Sequence, residues 1–524
     1  MAAESKPDHD TDVVIIGAGP VGLLLSILLG RAGTSVTVYD KWPEIYDRPR
    51  AVTMDAEVAR ILATLGIDVD NDPGFQNHKE LYYWKNADLE NLQIVDWESL
   101  APCGWHVTYW FNQPELEARL MDMAQALPTV SIERGWTAVD LVQSETSARV
   151  TLVDTAKGQS RREHDARFLV GADGANSFVR EALGLKTVDK GYFFDWLILD
   201  MIPPKDFVVS PAQWQLCDPR RPTTIVPGGP GRRRWEFMVL PDENSEDIAK
   251  PETAWRLMEP WGLTPQNSEL ERSAVYRFQA KWSEHWISGR CMIAGDAAHL
   301  MPPFAGEGMC AGLRDAVALG WRLNAVLKGP LGQGVFQSYE SERIAHAKHY
   351  IQFSQDLGNI ICIADAEQAK ERDARMKADL AARNFEPITG DLVKLGAGLW
   401  CDDAQGAGEL SPQGRVRFKA REDRFDQAVG QGWFILGLNT PTENLLRPDQ
   451  SVLFAKLGGR VLSVGPSAAT NDVIALDSAY ANWSAETGAS FAIIRPDFYV
   501  AATAATPETL RACFDTLTVR MGLT

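Results

Sequence analysis

The sequence predicts an α/β protein in which a parallel sheet carries a second, mainly antiparallel sheet as an insertion. The first observation is an apolar run, Val13–Ile16, followed by a glycine turn, a helix-like segment at Leu23–Ala32 and a second apolar run at Ser35–Tyr39. Two parallel strands need a crossover of this kind. The second observation is that short apolar runs return at Phe168–Ala172 and Cys291–Ala294, each followed by a pair of one glycine and one aspartate.

The third observation is that a different kind of sequence separates these runs. It is rich in Trp, Tyr and Phe and contains alternating stretches such as Trp235-Glu236-Phe237-Met238-Val239. Alternation predicts antiparallel strands with one face on a core and one face exposed. We therefore expect an inserted substrate domain, and a small α/β domain after two glycine-rich stretches. The expected boundaries are 1–77, 102–187 and 289–385 for the discontinuous domain of the parallel sheet, 78–101 and 188–288 for the substrate domain, and 400–524 for the C-terminal domain.

Composition excludes several classes of protein. The chain has 524 residues, of which 45% are hydrophobic and 23% charged, so a disordered or collagen-like chain is excluded. The formal charge of −18 predicts neither a nucleic-acid partner nor a membrane partner, because both need basic patches. Val13–Gly30 carries no charge and is nominally long enough to consider as a membrane span. Gly17, Gly19, Pro20 and Gly22 within it favour a strand, a turn and a helix instead.

The cysteines and the first residues bear on metals and location. Seven cysteines are widely scattered, and no pair has CxxC spacing, which argues against a zinc site or a thioredoxin-type redox motif. No other cluster has metal-ligand spacing, so no metal is expected. Residues 1–12 are polar and acidic, unlike a signal peptide. We therefore expect a cytoplasmic protein, in a compartment where thiols stay reduced.

A glycine-rich motif lies between the first apolar run and the first predicted helix. The segment Gly17-Ala18-Gly19-Pro20-Val21-Gly22 fits the pattern GxGxxG. In such a turn Gly17 permits the tight bend, Gly19 lets the backbone approach a pyrophosphate, and Gly22 lets helix and strand pack closely. Asp40, at the end of the second predicted strand, is placed to accept hydrogen bonds from ribose hydroxyls. This context favours a dinucleotide site over a chance glycine turn.

Two later motifs indicate which dinucleotide binds. Asp173-Gly174 follows the third predicted strand, and Gly295-Asp296 follows the fourth. With these three motifs in this order, residues 12–385 resemble the class A flavoprotein monooxygenases, the single-component FAD-dependent aromatic hydroxylases. The resemblance implies that Asp296 binds the ribityl chain of FAD and that Asp173 and Gly174 lie near both FAD and NAD(P)H.

The resemblance also implies further contacts to FAD. The stretch Pro303–Met309 matches the loop beside the flavin ring, Gln113 matches a glutamine that contacts FAD, and Arg50 matches an arginine after the second strand. The expected cofactor-binding residues are Gly17, Gly19, Gly22, Asp40, Lys41, Arg50, Gln113, Asp173, Gly174, Gly295, Asp296, Pro303, Gly306, Gly308 and Met309.

Within this family, the segments Pro49–Glu57, Arg233–Met238 and Gly312–Ala316 resemble those of the group that includes the 3-(3-hydroxyphenyl)propionate hydroxylases. Two departures lie in the flavin-side loop, where Glu307 stands in place of the usual Gln and Cys310 in place of the usual Asn. The tail resembles the thioredoxin-like domain of this group, with Ile494-Arg495-Pro496-Asp497 matching a terminal signature. Since it has no CxxC motif, we expect a structural or oligomerisation role, which allows a homodimer.

The resemblance implies a hydroxylase. NAD(P)H would bind transiently and reduce FAD, since no second GxGxxG motif is present. O₂ would then give a flavin C4a-hydroperoxide, which hydroxylates a phenolic ring ortho or para to its hydroxyl. The protein would exclude water and orient the ring.

Other functions on the same fold stay open. One is a tailoring hydroxylase of a polycyclic, polyketide-type aromatic compound, and another is a flavin-dependent reductase. A flavin-bound scaffold is a third alternative, and it predicts FAD that NAD(P)H cannot reduce. A halogenase is disfavoured because the Trp-x-Trp-x-Ile-Pro motif is absent.

The catalytic and substrate residues are harder to predict. The resemblance implies Asp55 as the candidate base for phenol deprotonation, because related phenol-type hydroxylases place an aspartate in this segment. From the residues alone, an N-cap of a helix over Ala56–Leu65 is the favoured interpretation of Asp55. Arg232, Arg233 and Arg234 could pair with a substrate carboxylate or with nicotinamide phosphates, although a solvated strand face is their default explanation. The candidate substrate contacts are Tyr192, Trp196, Pro303 and Phe304.

Overall fold

The computed structural model describes residues 9–77, 80–156, 158, 160–390 and 393–523. The expected start of the substrate domain at residue 78 and residues 1–8 of the polar N-terminus lie outside the described residues. The strands are β1 Thr11–Ile16, β2 Val36–Asp40, β3 Thr53–Asp55, β4 Phe75–Asn77, β5 Tyr82–Lys85, β6 Asn91–Val95, β7 Thr108–Phe111, β8 Val130–Arg134, β9 Trp136–Gln143, β10 Ala148–Asp154, β11 Arg161–Gly171, β12 Thr187–Ile202, β13 Trp214–Leu216, β14 Thr223–Pro227, β15 Arg233–Met238, β16 Glu269–Ser283, β17 Ile287–Ser288, β18 Cys291–Ile293, β19 His299–Leu300, β20 Arg415–Phe418, β21 Arg421–Arg424, β22 Phe434–Leu438, β23 Arg460–Gly465, β24 Val473–Ala475, β25 Phe491–Ile494 and β26 Val500–Ala504. The helices are α1 Pro20–Arg31, α2 Ala56–Leu65, α3 Gln113–Gln125, α4 Phe178–Ala182, α5 Ser245–Ile248, α6 Pro251–Met258, α7 Gly308–Lys328, α8 Phe336–Ile361, α9 Ala366–Ala382, α10 Phe425–Val429, α11 Pro448–Lys456, α12 Ala479–Thr487 and α13 Pro507–Arg520.

The first sheet contains the predicted βαβ unit. Its strands run in the order β17-β18-β11-β1-β2-β8, and β1 pairs in parallel with both β11 and β2. The helix α1 begins at Pro20, three residues before the predicted start, because proline suits the first helical position, where its missing N–H is no loss. The apolar stretch that suggested a membrane span is therefore strand, turn and buried helix. No helix in the part of the chain that the structure describes is long and apolar enough to cross a bilayer.

The second sheet is mainly antiparallel, as the aromatic, alternating sequence predicts. Its order is β19-β16-β12-β15-β14-β13-β5-β6, and only β13 and β5 pair in parallel. The longest strands, β12 and β16, pair from Thr187 opposite Ser283 to Ile202 opposite Glu269 with two irregularities. Trp196 and Trp235 are fully buried on this sheet.

The third sheet lies in the C-terminal part and has seven strands in the order β21-β20-β24-β23-β22-β25-β26. β23 pairs in parallel with β22 and β24, whereas β25 and β26 join antiparallel. The glycine-rich segment before it has neither helix nor strand among its described residues, yet it is firmly packed. Cys401 donates its backbone N–H to Ala501 at 2.8 Å, and Leu399 and Ala407 are buried.

Candidate functional site

A cleft of about 630 Å³ opens at one edge of the first sheet. Residues that follow the carboxyl ends of β1, β2, β11 and β18 line it, which is where open parallel sheets bind their ligands. The opposite wall includes Arg234 and Glu236 of β15 and Tyr276 of β16, so the second sheet closes the cleft. Except for Gly22 and Gly295, every expected cofactor-binding residue is among the residues that line it.

The glycine turn after β1 has the form that a pyrophosphate site requires. Gly17 has a φ of +110°, and a Cβ there would lie 2.2 Å from the carbonyl oxygen of Ala172. A Cβ at Gly22 would lie 2.0 Å from the carbonyl oxygen of Gly17, so both positions need glycine for packing. A Cβ at Gly19 would meet nothing within 4 Å, so the backbone there is open to a ligand. No side chain caps the N-terminus of α1, which leaves its positive end for an anion.

Asp40 fastens this turn to the end of β2. One of its carboxylate oxygens accepts a hydrogen bond from the backbone N–H of Ala18 at 2.7 Å, and the other accepts one from Trp42 at 2.8 Å. Lys41 follows it, with the ammonium 5.5 Å from the Trp42 ring centre. Asp40 still lines the cleft, so its remaining lone pairs can accept hydrogen bonds from a ligand.

The Gly295-Asp296 motif meets the first motif in space. Gly295 has a φ of +61°, and a Cβ there would lie 2.9 Å from Val21. Its backbone N–H donates to the Asp315 carboxylate at 3.0 Å. The Asp296 side chain is exposed to the cleft, and the protein atoms that surround it there raise the pKa of that carboxyl by desolvation. Such a carboxyl fits a ligand that offers hydroxyl donors.

Asp315 stabilises the Gly295-Asp296 motif through a network of polar contacts. Besides Gly295, it lies 2.8 Å from His299 Nε2 and accepts a hydrogen bond from Arg343 Nε at 2.8 Å. These charges hold the pKa of Asp315 below its usual range in spite of complete burial. Sequence reasoning missed Asp315 and Arg343, although charged residues at buried positions of a helix are a usable signal.

The Asp173-Gly174 motif is held by its own carboxylate. Asp173 accepts hydrogen bonds from the Ser177 hydroxyl at 2.5 Å and from the backbone N–H of Val179 at 3.1 Å, which fixes the turn before α4. Burial raises the pKa of Asp173. Gly174 has a φ of +81° with open space at its Cβ position, so the backbone is again the part that faces the cleft.

Gln113 and Arg50 form one network at the cleft. The Gln113 carbonyl oxygen accepts hydrogen bonds from the backbone N–H groups of Ala51 at 2.6 Å and Arg50 at 3.2 Å. Its amide nitrogen donates to Glu117 at 2.6 Å, and Arg50 Nη2 donates to the same Glu117 oxygen at 3.1 Å. Gln113 therefore positions the segment that carries Arg50, whose side chain is 50% exposed in the cleft.

The flavin-side loop, Pro303–Met309, leads into α7. Gly306 has a φ of +71°, and Glu307 accepts a hydrogen bond from Arg314 Nη1 at 2.8 Å. The same guanidinium binds Glu57 at 2.6 Å and also Asp55. Burial and the Glu57 carboxylate raise the pKa of Glu307 to about 8, and burial raises that of Glu57 to about 7.

Asp55 is the N-cap of α2, as the favoured interpretation of the sequence predicts. One carboxylate oxygen accepts a hydrogen bond from the backbone N–H of Val58 at 2.8 Å, and the other pairs with Arg314. Asp55 is not among the described residues that line the cleft. Its role as the catalytic base stays an untested prediction.

A possible metal-ligand group lies beside this cap. Ligand atoms of Asp55, Glu307 and Cys310 lie within 4.8 Å of one another. Arg314 already pairs with both carboxylates, so a guanidinium holds the position that a cation would take. The absence of a metal therefore remains a prediction from the sequence.

The expected substrate residues divide into two sets. Pro303 lines the cleft, whereas Tyr192, Trp196 and Phe304 pack with one another behind it. The rings of Trp196 and Phe304 are 5.5 Å apart, centre to centre. A Cβ at Gly358 would lie 1.8 Å from the Tyr192 hydroxyl and 2.6 Å from the Phe304 ring, so this region is tightly filled. The substrate role of these three residues stays a prediction.

The default explanation of the three arginines, a solvated strand face, is wrong for Arg234. Its side chain is 4% exposed and donates to Asp200 at 2.7 Å and to the carbonyl oxygens of Arg50 and Pro49, each at 2.8 Å. Arg232 pairs with two glutamates near the surface. Arg234 is buried because its strand packs against the Pro49–Arg50 segment. No local sequence pattern predicts this contact.

The sequence matches known family models and relatives with named activities. A family model described as the FAD binding domain matches residues 10–354, and a model described as the HcaD C-terminal domain matches residues 408–519. A probable NADH-specific resorcinol 4-hydroxylase of Rhodococcus jostii (strain RHA1) is 33% identical over 491 residues, covering 93% of this chain and 91% of the relative. A 3-(3-hydroxy-phenyl)propionate/3-hydroxycinnamic acid hydroxylase of Burkholderia vietnamiensis (strain G4 / LMG 22486) is 32% identical over 533 residues, covering 96% and 95%.

Solved structures show the same fold. Aklavinone-11 hydroxylase in a ternary complex with FAD and aklavinone has a TM-score of 0.76 at 23% identity, covering 98% of this chain and 100% of that chain. The flavin-dependent monooxygenase PieE in complex with FAD and substrate has a TM-score of 0.79 at 18% identity, covering 99% and 100%. At these identities the likeness establishes the fold alone.

Proposed function

Because the chain belongs to the family of class A FAD-dependent aromatic hydroxylases, we propose that it hydroxylates a small phenol ortho or para to an existing hydroxyl, with NAD(P)H and O₂ as co-substrates. The observation that carries this proposal is the single cleft that runs from the glycine turn after β1 to Glu236 and Tyr276 on the second sheet. It brings the expected cofactor residues and a wall for an aromatic substrate into one continuous space.

The residues of the cleft fit FAD. The open backbone at Gly19 and the uncapped end of α1 suit the pyrophosphate, and the Asp296 carboxyl suits the ribityl hydroxyls. Gln113 fixes the backbone of the Arg50 segment at the cleft. FAD, when bound, supplies the redox and oxygen chemistry, and the protein supplies orientation and a water-poor enclosure.

A monocyclic phenol fits better than a polycyclic compound. The relatives with over 30% identity are named for resorcinol and for hydroxyphenylpropionate. Aklavinone-11 hydroxylase, which is named for a polycyclic compound, shares the fold at 23% identity. NADH is the proposed donor because a relative is named NADH-specific.

The remaining expectations are proposals too. We propose that the sheet of β20–β26 is a thioredoxin-like domain with a structural role, supported by its mixed pairing and the match at residues 408–519. We also propose the domain boundaries given in the sequence analysis and a homodimer. A cytoplasmic location is supported by seven cysteines that all carry free thiols.

The proposed function is tested by NADH oxidation. FAD-loaded protein is mixed with a panel of phenols that includes resorcinol, and hydroxylated product and peroxide are both quantified. The proposal predicts a phenol that accelerates NADH oxidation and is recovered with one more hydroxyl. Acceleration with peroxide as the sole product identifies an effector rather than the substrate. If no phenol accelerates flavin reduction, the reductase or scaffold alternative replaces the hydroxylase.

A further inference from the structure

On one face of the second sheet, the side chains change from charged to aromatic along the strands. Residues directly opposite each other in antiparallel strands share a face. Asp200 of β12 lies opposite Arg234 and Arg272, Ile198 lies opposite Glu236, and the next row beyond Ile198 is aromatic. The face therefore passes from a charged row, through the row of Glu236, to an aromatic row. Its rows, in that order, are Asp200, Arg234 and Arg272, then Ile198, Glu236 and Ala274, then Trp196, Met238 and Tyr276.

The Asp200 carboxylate of the first row is already paired with arginine. Arg234 donates to Asp200 at 2.7 and 3.0 Å and to two backbone carbonyl oxygens. Arg272 lies 3.8 Å from Asp200 and donates to the Pro49 carbonyl oxygen. This row holds the Pro49–Arg50 segment against the sheet, and it keeps no carboxylate free for a ligand.

Glu236 differs from that row. Its side chain is 13% exposed and lines the cleft, and the nearest cation is Arg234 Nη1 at 3.8 Å, beyond hydrogen-bond distance. Among the hydrogen bonds between described residues, none involves the Glu236 carboxylate. A carboxylate that is mostly removed from water and has no hydrogen-bond donor is costly, so its position on a cleft wall points to a ligand that provides one. The neighbouring Tyr276 ring, also on the wall, provides an aromatic surface.

We propose that Glu236, rather than Asp55, which does not line the cleft, is the catalytic residue that receives the phenolic hydroxyl of the substrate, accepting its hydrogen bond and then its proton. This inference rests on the proposed function. The phenol O–H bond breaks, its electron pair stays on the oxygen as phenolate, and the proton forms the neutral carboxylic acid of Glu236. That proton is afterwards released to water, which restores the carboxylate.

The surroundings of Glu236 suit this role. Burial raises the pKa of Glu236 above its usual value, against the attraction of nearby arginines. A base with a raised pKa is better matched to a weakly acidic phenol. Deprotonation makes the ring electron-rich, which an electrophilic hydroxylation needs. The titratable and charged groups that face Glu236 are Arg234 on its own strand, Asp200 on β12, Arg272 on β16 and Tyr82 on β5.

The experiment compares Glu236→Gln with wild type in the FAD-loaded protein. Resorcinol is the probe, its binding is measured by calorimetry, and its ionisation in the complex is measured by ultraviolet difference spectroscopy. We expect the Gln variant to bind resorcinol within about tenfold of wild type but to lose the phenolate signal near neutral pH, with kcat lower by at least about 100-fold. Since a free phenol ionises near pH 10, the variant's rate should rise about tenfold per pH unit toward that value.

Two further variants separate a catalytic role from a structural one. Glu236→Asp keeps the carboxylate and should restore part of the phenolate signal. Asp195→Asn removes a carboxylate from the same sheet whose partner is the exposed Arg277, and it should change neither signal nor kcat. FAD content and circular dichroism establish that each variant is folded.

The outcomes distinguish this inference from the proposed function. If wild type hydroxylates a phenol while Glu236→Gln keeps the phenolate signal and a kcat within threefold, the inference is wrong and the function stands. If wild type neither binds nor hydroxylates any phenol, both are wrong.

Discussion

Arg495, in the last thirty residues of the chain, forms a bidentate ion pair with Glu342 near the start of α8, at 2.7 and 2.8 Å. Neither side chain has any exposed surface. Glu342 also accepts a hydrogen bond from Arg322 of α7 at 2.6 Å. The C-terminal sheet is thus fixed to two helices of the region that lines the cleft. Arg495 also pairs with Asp497 at 2.6 Å, so both charged residues of the terminal signature belong to this buried network.

We expect Glu342→Gln to lower the free energy of unfolding by about 3–5 kcal/mol, because it leaves two buried guanidinium groups with too little negative charge. Urea denaturation measures this. Asp515→Asn, which breaks the exposed pair with Arg447, is the matched control and should change stability little. Equal effects of the two variants would contradict the anchoring role of Glu342.

The two glycines of the first turn should respond differently to alanine. Gly22→Ala places a Cβ 2.0 Å from the Gly17 carbonyl oxygen and should lower the free energy of unfolding by about 1–3 kcal/mol. Gly19→Ala meets no protein atom within 4 Å, so it should fold normally but bind FAD at least about tenfold more weakly. FAD fluorescence titration and thermal denaturation measure both. Gly332→Ala, also with an open Cβ position, is the control and should leave FAD binding intact.

Gln113→Leu removes the acceptor for the backbone N–H groups of Arg50 and Ala51. We expect a loss of about 1–3 kcal/mol in stability of the segment and weaker FAD binding, because a part-buried donor is left without its partner. The control is Gln125→Leu, at the exposed end of the same helix. Unchanged FAD affinity in Gln113→Leu would show that Gln113 does not position the Arg50 segment for the cofactor.

The carboxylates around Arg314 should make stability depend on pH. The pKa of Glu307 is raised to about 8 and that of Glu57 to about 7, so between about pH 4.5 and pH 8 the folded state binds more protons than the unfolded state. Stability from these groups is therefore present below pH 4.5 and is lost as pH rises through 7 and 8.

Glu307→Gln removes one of these carboxyls. Between pH 5 and 8 the unfolding free energy should then fall less steeply, by up to about 1.4 kcal/mol per pH unit for one proton. Denaturant curves at several pH values measure the slope. Glu508→Gln, at the exposed start of α13, should leave the slope unchanged. A steeper slope in Glu307→Gln would contradict the raised pKa.

Much of the parallel sheet was predictable because its signals are local. The strand at Val13–Ile16, the turn and the following helix depend on periodicity and glycine geometry within about twenty residues. The cap at Asp55 is equally local. The three motifs in their order also predicted the FAD family, which the comparisons confirm.

The sequence by itself thus determined the class of protein, the cofactor family and most strands and helices near the cleft. Only the tertiary structure decided which distant charges meet, such as Arg314 with Asp55 and Glu57, or Arg495 with Glu342. It alone showed that Arg234 is buried and that Glu236 faces the cleft without a donor. The reason is physical: short-range patterns fix the conformation of a segment, whereas the partner of a buried charge depends on how segments hundreds of residues apart pack together.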